Sequence, residues 1–191
     1  MEAKKIIITG GATRIGAAIA RSLSGNEKQI TLHYNQSEKE AKKLKTELER
    51  DGAKVFLIKA DLSNSNSVKK IIPFSYKMMK GLDCLINNAS IFEKDSIKDF
   101  NESKFNKHMN INLKAPAILS QAFKKYVKNN KGNIVNIIDQ RIFKLTPYFF
   151  SYTLSKSGLE TLTKTSAMSL APNIRVNGVA PGPTIKNKRQ S

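Results

Sequence analysis

A short β-branched run, Ile6-Ile-Ile-Thr9, passes directly into Gly10-Gly-Ala-Thr-Arg14-Ile-Gly16 and then into an Ala-rich segment, Ala17 to Leu23. Strand, glycine turn and helix in that order leave few folds open. Glycines let the backbone turn sharply and approach a ligand closely, and the free N–H groups and dipole at a helix start favour an anion such as a pyrophosphate. In this context the turn reads as the opening unit of a nucleotide-binding α/β fold.

The rest of the chain continues the alternation. Gln29 to Tyr34 reads as a second strand, and Ser37-Glu-Lys-Glu40 as a capping box that opens a helix running to Glu49 and stopping at Asp51-Gly52. Lys54 to Lys59 is a third strand, ending at Ala60-Asp61-Leu62. Asn64 to Lys80 is expected to be helical, with Pro73 kinking or splitting it. Cys84 to Asn87 is a fourth strand, followed by Asn88-Ala-Ser90-Ile-Phe92, small polar residues of the kind that can face a cofactor at a strand's end. Ser103 to Val127 carries apolar residues at helical spacing and is expected to be one long core-facing helix bent at Pro116, with Asn112 directed inward. Gly132 to Ile138 is a buried strand, Tyr152 to Leu170 a helix and Asn173 to Val179 a sixth strand. Strands alternating with helices, with few hairpin signals, predict an α/β fold with a doubly wound parallel sheet.

At 191 residues, 40% hydrophobic and 25% charged, the chain suits a single domain over 1–191. The N-terminal apolar run is too short for a signal peptide, and no stretch approaches the roughly 18 apolar residues of a membrane helix, so a cytoplasmic location is expected. The single cysteine, Cys84, excludes an internal disulfide and reads as a buried thiol inside a strand. The net charge of +18 fits a polyanionic partner. Its lysines are scattered over expected helix surfaces (Lys39, Lys42, Lys43, Lys45; Lys124, Lys125, Lys128) without the aromatic interleaving of a single-strand binder, so no dedicated nucleic-acid partner is expected.

The one tight constellation of titratable groups lies between Asp139 and Lys156. Tyr152 and Lys156 are four apart on a helix and share a face. A neighbouring ammonium favours the ionised phenol, so Lys156 is expected to bring Tyr152 closer to working pH as a proton donor. Asp139 stands where a buried strand ends, the position of ligand sites in open α/β sheets. Beyond the second strand, His33-Tyr-Asn-Gln-Ser37 offers no carboxylate for the ribose hydroxyls of NAD, while Arg14 stands in the glycine turn. This pattern suits the additional phosphate of NADP.

Taken together, Thr9-Gly-Gly-x-x-Arg-x-Gly16, Asn87-Asn-Ala-Ser90, Asn112, Tyr152-x-x-x-Lys156 and Arg175-Val-Asn-x-Val-x-Pro-Gly182 resemble the short-chain dehydrogenase/reductase family in order and spacing, over residues 5 to about 184. Most members carry a serine thirteen residues before the tyrosine; here it is Asp139. That substitution looks like pteridine and dihydromonapterin reductases, as do His33-Tyr34 with Ser37, Asn88-Ala-Ser90-x-Phe92 and Asn112-x-x-Ala-Pro116; Gln36 stands where some pteridine reductases carry a basic residue. The resemblance implies a Rossmann fold and hydride transfer from NADPH to a pterin C=N bond. It implies a catalytic set of Asp139, Tyr152, Lys156 and Asn112, with Lys156 holding the nicotinamide ribose and Asn112 supporting a water linked to that lysine. Cofactor contacts are implied for Gly10, Arg14, Ile15, Gly16, His33, Tyr34, Asn35, Ser37, Asp61, Leu62, Asn88, Ala89, Ser90, Lys156, Pro181, Gly182 and Thr184. Substrate contacts are implied for Arg14, Ser90, Phe92, Asp139 and Tyr152, Phe92 stacking the pterin, and no metal ligands are implied.

The family pattern also continues past Pro181-Gly182 into a helical lid, a helix and a final strand, whereas this chain ends at Ser191, so the final strand and substrate lid are expected to be missing. A homo-oligomer, dimer or tetramer, through the long helices is implied as well. Three other readings stand beside the pterin reductase: a carbonyl or 3-oxoacyl reductase of the same family, an inactive nucleotide-binding remnant, and a basic nucleic-acid binder.

Overall fold

Ile6 and Ile8 of β1 (Lys5–Ile8) face one side of a sheet and Ile7 the other, and all three are at most 1% exposed. That double burial is what a run without polar alternation requires. The computed structural model describes residues 3–127 and 131–184; Lys128 and the expectations for the chain beyond Thr184 lie outside the described residues. β1 pairs in parallel with β2 (Gln29–Tyr34) on one side and β4 (Cys84–Asn87) on the other. With β3 (Lys54–Lys59), β5 (Gly132–Ile137) and β6 (Ile174–Val179) they form a six-stranded parallel sheet of order β3-β2-β1-β4-β5-β6.

Two cores cover its faces. Ile6, Ile8, Ile30, Leu32, Cys84 and Ile86 pack against Ala17 and Ala20 of α1 (Arg14–Ser22) and Leu44 and Leu48 of α2 (Glu38–Arg50). On the other face Ile7, Leu85, Ile134, Ile174 and Val176 pack against α4 (Ile71–Met79) and α6 (Ala115–Tyr126), with the long helix α7 (Phe150–Leu170) alongside. Each such buried aliphatic side chain stabilises the fold by roughly 1.5–3 kcal/mol before entropy is counted. Cys84 is buried as expected, and burial pushes its thiol up to about 12, so it is inert. No helix among the described residues is long and apolar enough to cross a membrane.

The chain winds outward from β1 to β3, then returns to start β4 on the opposite side of β1. This reversal opens a crevice above the ends of β1 and β4, where open α/β sheets hold their ligands.

Four local expectations are corrected, two of them for one reason. The helix expected over Asn64 to Lys80 is two, α3 (Ser65–Val68) and α4, broken at Lys69-Lys70 and not at Pro73. The helix expected over Ser103 to Val127 is α5 (Glu102–Met109) and α6, joined by a π turn at Asn110–Lys114 and not bent at Pro116. A proline has no N–H to give the carbonyl four residues back, so the disturbance falls one turn ahead of it. In the second case Ala115 donates instead to the carbonyl of Asn110, five residues back. The capping box at Ser37 is not made, because Ser37 is not extended (φ −86°, ψ 54°) and its hydroxyl makes no cap hydrogen bond. α1 begins at Arg14, three residues ahead of expectation, which puts Arg14, Ile15 and Gly16 in its first turn.

Candidate active site

The glycine turn is tied down by the ends of three strands. The hydroxyl of Thr9 accepts the N–H groups of Asn88 and Ala89, both at 3.0 Å, and the Asn88 amide donates to the carbonyls of Thr9 (2.9 Å) and Gly10 (3.1 Å). Gly10 has φ +60°, and a Cβ there would lie 2.9 Å from the Ala89 Cα. A Cβ on Gly16 would lie 2.1 Å from the Gly10 carbonyl oxygen. Both positions are closed to any side chain.

His33 is 2% exposed beneath this turn. Its Nδ1 accepts the Gly10 N–H at 3.1 Å, so Nε2 carries the proton and donates to the Ala60 carbonyl at 3.0 Å. Burial lowers its pKa below the usual 6.5, which keeps the ring neutral. His33 therefore lines the cleft as a neutral tie between β1, β2 and β3, not as a cation for a phosphate. Because the folded pKa is depressed, its contribution is present above pH 6.5 and is lost as pH falls below that value. His33→Leu orphans two buried backbone groups, with an expected loss of about 2–4 kcal/mol at pH 7.5 in denaturant unfolding. The gap between variant and wild type should narrow as pH is lowered toward 5; a constant gap would mean that His33 acts by packing alone.

Tyr152 is 5% exposed, and its hydroxyl donates to Oδ2 of Asp139 at 2.7 Å. Asp139 Oδ1 accepts the N–H of Arg141 at 2.8 Å, which opens a 3-10 turn at Gln140–Ile142 and fixes the carboxylate. Lys156 is buried, with Nζ donating to the Ile137 carbonyl at 2.7 Å and standing 5.8 Å from the centre of the Tyr152 ring. The expectation that Lys156 lowers the phenol's pKa is corrected. Burial raises it, and the hydrogen bond to Asp139 and that carboxylate's charge raise it further; Arg141 and Ser90 oppose them only in part. The ammonium is itself pushed down to about 8 by burial, against which the charge of Asp139 works. The phenol is thus held protonated against a carboxylate, with a cation behind it.

Asn112 is fully buried in the π turn. Its amide donates to the Ile91 carbonyl (3.1 Å) and to Ser155 (3.0 Å), and its oxygen accepts from Ile91 N–H (2.9 Å) and Ser90 (3.1 Å). With every lone pair and proton used, the side chain braces the loop after β4 and makes no hydrogen bond to Tyr152 or Lys156.

These groups share one cleft of about 990 Å³. Gly10, Arg14, Ile15, Gly16, His33, Tyr34, Asn35, Ser37, Asp61, Leu62, Asn88, Ala89, Ser90, Phe92, Asp139, Tyr152, Lys156, Pro181, Gly182 and Thr184 all line it, and Asn112 stands behind its wall. At the end of β2 the lining residues Asn35, Gln36 and Ser37 carry no charge. Three residues escaped sequence reasoning. Phe149 stacks on Phe92 with ring centres 4.2 Å apart and 3° between planes, Arg141 lies against both rings, and Asp95, 2% exposed, holds the start of α7. Only Thr9, a polar residue ending an apolar strand, carried a sequence signal for its part in the turn.

A family model described as short chain dehydrogenase matches residues 4–190. An uncharacterised oxidoreductase of Thermotoga maritima is 32% identical over 185 residues, covering 95% of this chain and 72% of that protein. The crystal structure of FolM alternative dihydrofolate reductase 1 from Brucella canis, complexed with NADP, superposes with a TM-score of 0.90 at 37% identity, covering 97% of this chain and 75% of that one. The angucycline C-6 ketoreductase LanV with bound NADP superposes with a TM-score of 0.88 at 27% identity, covering 93% and 72%.

Proposed function

The chain belongs to the short-chain dehydrogenase family, and from that premise we propose that it is an NADPH-dependent reductase acting on the C=N bond of a pterin. The observation that carries the pterin class is the Asp139 carboxylate in contact with the Tyr152 hydroxyl. A carboxylate there repels the oxygen of a simple carbonyl, but it accepts hydrogen bonds from the N–H groups of a nitrogen-rich heterocycle. The likeness to the Brucella dihydrofolate reductase supports the same class.

The cleft fits the cofactor. The side-chain-free approach at Gly10 and Gly16, with the opening N–H groups of α1, suits a pyrophosphate. Arg14, Asn35 and Ser37, with no carboxylate at the end of β2, suit the adenosine phosphate of NADP, and Asp61 and Leu62 the adenine. Ser90, Lys156, Pro181, Gly182 and Thr184 would hold the nicotinamide half. When bound, NADPH supplies the hydride that reduces the substrate carbon; the task of the chain is the proton. Tyr152 delivers it to the substrate nitrogen, directly or through Asp139, while the Lys156 ammonium offsets the charge left on the phenol. Asn112 keeps Ser90 and the loop carrying Phe92 in register. Exposed Leu154 and Met168 on the outer side of α7 support assembly into a homo-oligomer through the long helices.

A carbonyl reductase is the second reading, favoured by the likeness to the LanV ketoreductase. Loss of NADPH absorbance with a dihydropterin and with a small ketone separates the two. The pterin is expected to turn over and the ketone not; Asp139→Ser should lower kcat/KM for the pterin by about 10²-fold and narrow the preference. Turnover of the ketone alone by the unaltered protein would sink the pterin reading.

A further inference from the structure

The aromatic pair at the substrate end of the cleft leaves no gap. Phe92 and Phe149 lie face to face at 4.2 Å, and Phe92 also meets the Tyr152 ring, with centres 4.6 Å apart and 78° between planes. No third ring can enter between planes already in contact. A flat substrate ring that is to lie on the face of Phe92 that Phe149 covers must take the place that Phe149 holds.

The way Phe149 is mounted separates its backbone from its ring. The backbone is in the left-handed region (φ 61°, ψ 41°), which a bulky residue keeps only where its surroundings impose it. Here they do. The Phe149 N–H donates to the Asp95 carbonyl at 2.8 Å, the Phe149 carbonyl accepts from Thr153 at 2.8 Å, and the Asp95 carboxylate accepts both the N–H and the hydroxyl of Ser151. The turn is pinned, and it aims the ring at Phe92. The ring itself is half-buried and held by stacking and by the Arg141 guanidinium, whose Cζ lies 4.6 Å from its centre and 5.6 Å from that of Phe92. Arg141 is in turn braced by Thr146, 3.0 Å from Nη1. Rotation about the side-chain bonds of Phe149 frees the seat without moving the turn, and leaves the cation beside whatever ring replaces it.

We infer that Phe149 is a specificity-determining residue that occupies the place of the substrate ring on Phe92, so that a flat conjugated heterocycle enters by displacing it. Such a ring regains the stacking and cation–π contacts that Phe149 gives up. A ligand without one does not, and is discriminated against. The inference rests on the pterin reading for the identity of that ring.

The test is the dissociation constant of an oxidised pterin for the NADP⁺-loaded protein, measured on the unaltered chain, Phe149→Ala and Phe149→Leu, with NADP⁺ affinity as the check on folding. A seat occupied most of the time lowers apparent affinity by the fraction that is open. Removing the ring should therefore tighten pterin binding about 3- to 10-fold, the size of one aromatic stacking contact. Equal or weaker binding in the variants, with the unaltered protein binding the pterin, overturns the displacement and leaves the pterin reading intact. No binding by any of the three sinks both. The chain has no tryptophan, so Phe149→Trp adds a single reporter: its emission should shift when pterin displaces the ring from Phe92, and unchanged emission on a bound pterin overturns the inference as well.

Discussion

Tyr152→Phe is expected to lower kcat for NADPH-dependent reduction by about 10²- to 10⁴-fold, the usual worth of a positioned general acid. NADPH affinity should stay within about twofold, because the phenol ring and its packing on Phe92 remain. The hydroxyl is the only part removed, and its one strong partner is Asp139 at 2.7 Å. Burial and that carboxylate keep the phenol protonated through the neutral range, so the acid limb of the rate profile should not report Tyr152. The alkaline limb has a different source. Lys156 is pushed down to about 8, and once it loses its proton the charge left on the phenol is no longer offset. The rate should fall as pH rises through about 8 in the unaltered enzyme. Steady-state rates from pH 6 to 10 check both statements; a phenylalanine variant keeping a tenth of the rate would remove Tyr152 from the chemistry.

Gly16→Ala is expected to weaken NADPH binding by about 10- to 100-fold and to cost about 1–3 kcal/mol of stability, the range for forcing atoms into a packed site. The added carbon would lie 2.1 Å from the Gly10 carbonyl oxygen and 2.6 Å from the Asn88 amide nitrogen. The first contact is with backbone, so the turn must move. Asn88 cannot yield either, because its amide holds the carbonyls of Thr9 and Gly10. The α1 start and the crossing of β1 to β4 are then displaced together. Titration of NADPH fluorescence with parallel thermal unfolding measures the two effects; affinity within twofold of the unaltered protein would show that the turn is not the phosphate cradle.

Much of the site was legible because it depends on short-range geometry. The four-residue spacing of Tyr152 and Lys156 places both on one helical face, and the apolar run before Asp139 places its carboxylate at a strand's end. A strand followed by glycines and a helix leaves free N–H groups at the strand's end, and the cleft lies there. The positions of the two prolines were legible too, but their effect was assigned to the wrong turn, since the bond that proline deletes belongs to the residue four places earlier.

The residues that were not legible are those whose meaning depends on partners distant in the chain. His33 reads only as one residue of a stretch without a carboxylate until Gly10 and Ala60 close on its two nitrogens and require the neutral ring. Asn112 reads as a member of the reacting set until Ile91, Ser90 and Ser155 consume its hydrogen bonds. Lys156 was expected to lower the phenol's pKa because the two are one turn apart; the tertiary structure buries the phenol and sets it against Asp139, and both turn the shift the other way. By itself, then, the sequence determined the alternation of strands and helices, the glycine turn before α1 and the identity of the tyrosine, lysine and carboxylate in the cleft, all of which follow from periodicity and local backbone chemistry. Only the tertiary structure decided the raised pKa of the phenol and the lowered pKa of the ammonium, the Phe92–Phe149 stack and the pinning of Phe149 by Asp95, because electrostatics and packing act between residues that folding, and not chain order, makes neighbours.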